Sequence, residues 1–164
     1  MHSSYASALG GHGARPTIQH RGKVYTFAAL DQRAKSAFER RLIDEAMRTA
    51  ATAPEPHASR AVDRVVRDAA RGVYAFFGEI AQDAVQSPQG MIALTAILLG
   101  IPDDEALMLA AEVPLEIAAK VDLVILEALP QDVRERTLRE REAQARATQS
   151  QQESDPTSPA QVSA

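Results

Sequence analysis

No cysteine occurs in the 164 residues, which excludes disulfides and thiolate metal sites. The absence agrees with a reducing compartment. Tryptophan is missing too, and aromatic residues make up only 4% of a chain that is 45% hydrophobic. A core of that size with so few rings must be built from Ala, Leu, Ile and Val, side chains that suit helices packed closely together. Long apolar runs are also lacking. The longest, Met91 to Leu99, interrupted only by Thr95, is far below the roughly 20 residues needed to cross a bilayer and reads as a buried helix. No apolar stretch stands in the Ser- and Gly-rich opening Met1 to Gly13, so it does not read as a signal peptide. The length fits one domain with tails.

Charge is unevenly spread. Residues 1–60 carry nine Lys and Arg against five Asp and Glu, and residues 61–164 carry nine against seventeen. Halves of opposite sign would attract each other within a chain or between copies, which makes self-association an expectation. A basic arm for nucleic acid competes with a solvated helix face of mixed signs, and the second reading is preferred.

Residues 1–15 contain Gly10, Gly11 and Gly13 and little to bury, so a disordered arm is expected. In residues 16–27, Thr17 to His20 and Lys23 to Phe27 favour strand and flank Arg21-Gly22. Gly22 supplies the positive φ of a tight turn, which predicts a short hairpin. Two strands are marginal alone, so the hairpin must lean on helices or pair with another chain. A helix is expected from Ala28 to Ala50, with Leu30, Ala34, Phe38 and Leu42 at helical spacing and Arg33, Arg40, Arg41 and Arg48 on its surface. Pro54 and Pro56 stop it.

From Ser59 to Gln86 the spacing of Val62, Val66, Ala69, Val73, Phe76 and Ile80 predicts one apolar seam, with Gly72 either bending the helix or admitting a close neighbour. Ser87-Pro88-Gln89-Gly90 is a helix start, with Ser87 as cap and Pro88 in the first turn. The apolar helix that follows is expected to be the central one, and Gly100 ends it. A short helix opens at Ile101-Pro102 with Asp103, Asp104 and Glu105 at the positive end of its dipole. Pro114 separates it from a helix over Leu115 to Leu129 with a core stripe of Ile117, Ala118, Val121, Val124 and Ile125. Pro130 closes the domain, taken as residues 16–130. Residues 131–152 read as a charged helix with Glu135–Arg139 and Glu142–Arg146 pairs, and residues 153–164 as a disordered tail. The fold class is therefore mainly α, a compact helical bundle with a short N-terminal β-hairpin and a charged C-terminal helix.

Chemistry is hard to find. His2, His12, His20 and His57 have no metal-ligand spacing, and the adjacent carboxylates at 103–105 point in different directions on a helix. Gly10-Gly11-His12-Gly13 lacks the strand and Lys-Ser/Thr of a phosphate loop. The serines lie in tails or at caps, with no neighbouring His and carboxylate. The expectation is no catalytic residue, no metal, no cofactor and not an enzyme.

Several short stretches stand in a distinctive order. Gly22-Lys23-Val24-Tyr25-Thr26-Phe27 runs into a helix with Phe38-Glu39-Arg40-Arg41-Leu42. Gly72-Val73-Tyr74-Ala75-Phe76-Phe77 follows, then Ser87-Pro88-Gln89-Gly90 before the apolar helix ending Leu98-Leu99, then the helix to Leu129. Over residues 20–130 this succession resembles the tail assembly chaperones of long-tailed bacteriophages. The resemblance implies a non-catalytic module that coats the apolar tape measure protein in the host cytoplasm, before tail tube protein polymerises around it, and is absent from the mature virion. The competing readings are a structural or adaptor component of the virion, such as a head–tail joining protein, and a nucleic-acid-binding regulator. Phe76, Phe77, Met91 and Met108 are the candidate protein-binding residues, on a groove for apolar helical segments.

Overall fold

A computed structural model describes residues 15–153 and, to residue 147, their side chains. The arm and tail expectations fall, but for Arg15 and Glu153, outside these residues. Two strands, β1 (Thr17–His20) and β2 (Lys23–Thr26), precede α1 (Gln32–Ala51), α2 (His57–Ala70), α3 (Glu79–Gln86), α4 (Pro88–Leu99), α5 (Asp103–Glu112), α6 (Pro114–Glu127) and α7 (Gln131–Glu153). Helix makes up most of the described residues, so the protein is mainly α, a compact helical bundle with a short antiparallel N-terminal hairpin. The chain divides into two units, residues 1–128 and 129–164.

The hairpin forms where the turn residues dictate. Arg21 and Gly22 both have positive φ, 47° and 77°. That is the two-residue turn whose twist matches the flanking strands. The register pairs Ile18 with Tyr25 and His20 with Lys23. Ile18 and, just past β2, Phe27 are fully buried, so the hairpin leans on the helices through one face.

Helix α1 begins four residues later than its spacing predicts. Residues 28–31 are not helical: the Ala28 N–H donates to the Leu98 carbonyl at 2.7 Å, and the Asp31 side chain caps the helix by accepting from the Ala34 N–H at 2.8 Å. The seam expected from Val62 to Ile80 does not exist as one face. Gly72 adopts φ 75°, its N–H donates to the Ala69 carbonyl at 3.0 Å, and the Val73 N–H donates to the Asp68 carbonyl at 3.0 Å. This pair of bonds is the left-handed stop of a helix, so Gly72 neither bends a continuing helix nor admits a neighbour. Its missing side chain would meet nothing within 4 Å. Val66, Val73 and Ile80 are exposed, and α2 instead buries Ala58 and Val65, two turns apart.

Helix α4 follows its sequence signals closely. Ser87 Oγ accepts from the Gly90 N–H at 3.1 Å, and Pro88 opens the helix. Gly100 at φ 64° stops it by the same pair of bonds, Gly100 N–H to Ile97 and Ile101 N–H to Ala96. The helix is central: α1, α3, α5 and α6 all pack on it, with Leu94, Thr95, Ala96 and Leu98 buried.

One requirement on this helix is hidden in the sequence. A Cβ at Gly90 would stand 1.9 Å from the Ala84 carbonyl oxygen, a backbone atom of α3. Replacing a helical Gly by Ala ordinarily stabilises by about 1 kcal/mol. Here the clash reverses the sign, and Gly90→Ala is expected to destabilise by about 1–3 kcal/mol in urea unfolding. Thr95 gives the opposite case. Its hydroxyl is wholly buried and has no hydrogen-bond partner among the described residues. Thr95→Val keeps the branched shape and removes the unpaired group, and should raise stability by about 1 kcal/mol in the same assay.

Helix α7 stands in the second unit. Its Glu135–Arg139 ion pair forms at 3.4 Å, and the Thr137 hydroxyl donates back to the Val133 carbonyl at 2.9 Å.

Candidate protein-binding groove

The tight corner at Gly90 brings the end of α3 against the start of α4, so Val85 and Met91 share one wall of a groove of about 380 Å³. Helix α6 supplies the other wall. Ala118, Ala119 and Ile125 line it, and Val121, fully buried, forms the floor. Ala118, Val121 and Ile125 recur at helical spacing, and the two alanines keep the wall low. Gln86 and Asp122 add polar atoms to the lining. An apolar trough of this form can take a ridge of side chains spaced i, i+3, i+4 on an incoming helix.

A larger cleft of about 790 Å³ lies between α1 and α4. Phe38, Leu42, Ile92 and Ala93 contribute its apolar surface, but charges of both signs line it as well. Arg41 pairs with Asp103 at 2.6 Å and Arg48 with Glu45 at 3.7 Å. Two of the arginines that suggested a basic surface on α1 are thus engaged with carboxylates of the same chain.

The four residues expected to contact a partner do not converge. Met91 lines the apolar groove. Phe76 is only 4% exposed and belongs to the core. Its ring meets Phe38 edge-on at 5.6 Å and Phe77 at 5.3 Å, while its N–H donates to the Glu39 carboxylate at 2.8 Å. These contacts draw the 71–78 loop against α1 and take Phe76 inside. Phe77 is 42% exposed, with the Lys35 ammonium 4.7 Å from its ring centre. Met108, 55% exposed, lines a separate cleft of about 160 Å³ between the hairpin and α5. Sequence reasoning missed Val85 and Ala119, and it placed Ala118 and Ile125 in the core stripe. The adjacent small residues Ala118-Ala119 on an otherwise bulky helix were the available signal.

The hairpin cleft is built from charge. His20 Nε2 stands 2.7 Å from Glu112, and the Arg21 guanidinium meets the same carboxylate at 2.5 Å. Lys23 donates to Glu105 at 2.5 Å, and the Tyr25 hydroxyl donates to the same oxygen at 2.9 Å. The Lys23 bond, and then the Tyr25 bond, hold the Glu105 carboxyl below its ordinary value of 4.5. The bond to Glu105 pushes Lys23 above 10.5 and Tyr25 above 10.0.

The sign of the pH dependence follows. A lowered carboxyl stabilises fully above its ordinary value and loses that contribution as pH falls through its folded one. The raised Lys23 and Tyr25 contribute below their ordinary values and cease to as pH rises through their folded ones. The hairpin attachment should therefore be strongest between about 4.5 and 10.0. Tyr25 ring proton shifts followed by NMR should show an acid limb below that window, and Glu105→Gln should remove it.

Among the described residues, no group of three or more His, Cys, Asp or Glu is placed to hold a metal ion. No helix among them is long and apolar enough to cross a membrane. No protein-family model, curated protein or solved structure matches the chain.

Proposed function

We propose that the protein is a non-catalytic binding module, a phage tail assembly chaperone that takes apolar helical segments of the tape measure protein into the groove between α3, α4 and α6. The observation that carries this reading is the groove itself, an apolar trough with Met91 on one wall and Ala118 and Ala119 on the other. Methionine suits such a surface because its unbranched, polarisable chain adapts to ridges of different shape. The order of short sequence stretches from Gly22 to Leu129 supports the same assignment through its resemblance to those chaperones. The protein acts in the host cytoplasm during assembly, uses no cofactor, and hands its client to tail tube protein.

Burying apolar ridges contributes roughly 25 cal/mol per Å². A single charge in the trough is enough to undo a modest contact. Co-expression with the tape measure protein should raise that protein's soluble fraction. Ala119→Arg, at an exposed position of α6, should abolish the gain while circular dichroism shows unchanged helicity. Phe77→Asp, outside the groove, should leave the gain in place. No rescue by the wild type overturns the proposal. A fixed copy number in purified virions would instead favour the adaptor reading.

A further inference from the structure

The outer edge of β2 is unpaired among the described residues. The Phe27 N–H donates to the Pro16 carbonyl at 2.9 Å, which sets the alternation of the ladder. The pairs that exchange bonds are then Tyr25 with Ile18 and Lys23 with His20, by the register, while Pro16, which has no N–H, only accepts from Phe27. Val24 and Thr26 fall between them, so their N–H and C=O groups point away from β1. Among the described residues no hydrogen bond to these outward groups is present.

Edge strands are ordinarily blunted by a charged side chain, most often lysine. The only charged residue of β2 is Lys23, and Glu105 draws it aside at 2.5 Å, with its ammonium 4.6 Å from the centre of its own Tyr25 ring. Arg21 and His20 are likewise drawn to Glu112. Lys23 and Arg21 are thus each paired with a carboxylate of α5, and Val24 is left 60% exposed.

We propose that this edge is a self-association surface, on which β2 of a second copy adds antiparallel to make a four-stranded sheet across two chains. The edge is complementary to itself about Tyr25. With the two-fold axis there, Val24 of each copy faces Thr26 of the other, and each such pair exchanges two backbone bonds, four in all. Their side chains then meet on the outer face, where the β-branched pair packs well. Charge also permits it. The two Lys23 residues stand four positions apart along the ladder, about 14 Å at 3.4 Å per residue, beyond the screening length of about 8 Å at physiological salt. The surface is separate from the groove of the proposed function, and neither reading depends on the other.

Sedimentation equilibrium over a wide range of concentrations tests it. The wild type should approach twice its 17.7 kDa mass at the high end. Thr26→Pro removes an outward donor and spares the bonds to β1. Val24→Lys sets two ammonium groups diagonally across the joined sheet. Each should weaken association at least about tenfold, with helicity by circular dichroism unchanged. Amide exchange at Val24 and Thr26 should slow as concentration rises, while exchange at Tyr25, bonded inside the hairpin, should not change. Should Thr26→Pro unfold the hairpin, Val24→Lys and the exchange pattern decide. A wild type monomeric throughout, a dimer indifferent to Val24→Lys, or protection of Val24 and Thr26 only when an extended partner peptide is added would each overturn the proposal.

Discussion

Phe38→Ala should cost about 3–5 kcal/mol in chemical unfolding, the usual range for removing a buried ring. The residue is fully buried and sits where three parts of the first unit meet. On α1 it stands one turn after Ala34, it takes the edge of Phe76 at 5.6 Å, and it forms part of the base of the cleft toward α4. Its removal leaves a cavity beside the Phe76 ring, whose backbone is held to α1 by the 2.8 Å bond between its N–H and Glu39. A double variant with Phe76→Ala should therefore lose less than the sum of the two single losses, because the rings share one contact. A cost for Phe38→Ala within about 0.5 kcal/mol of zero, as at ordinary surface positions, would show that the 71–78 loop does not pack on α1.

Leu94→Ala should cost about 2–5 kcal/mol, with the upper half of the range expected. Leu94 is fully buried at the centre of the helix that four others surround, and close packing on every side limits how far the site can collapse. Leu107→Ala on α5 is the control, since its side chain is 54% exposed and surface changes cost within about 0.5 kcal/mol. Equilibrium unfolding in urea with far-ultraviolet circular dichroism measures both. Near-equal losses for the two leucines would mean that α4 is not the centre of the bundle.

Local signals were legible wherever one or two residues control the backbone. Ser87 with Pro88 starts α4 because a hydroxyl satisfies an orphan N–H and a ring needs none. Gly100 ends it, and Arg21-Gly22 turns the hairpin, because positive φ is open to few residues. The mostly apolar run from Met91 to Leu99 announced a buried helix, since only other helices can cover every side of it. Gly72 was legible as an interruption, but its outcome was not. A break in spacing is the same on paper for a kink, a close approach and a stop, and the bonds from Gly72 and Val73 to Ala69 and Asp68 decide for the stop.

What the sequence by itself determined was thus the inventory: the hairpin and its turn, the mainly helical class, the caps of α4 and the central place of that helix. Tertiary structure alone decided which apolar residues face which neighbour. Phe76 and Phe77 are adjacent and chemically identical, yet one is in the core and the other at the surface. Val65 is buried and Val66 is not. The groove has the same origin. Val85, Met91 and Ala119 lie on three helices, and they share a surface because Gly90 lets α3 close on α4 while α6 packs on α4. Periodicity along a chain reports one helix at a time, whereas a groove is a relation between helices, set by how their backbones approach.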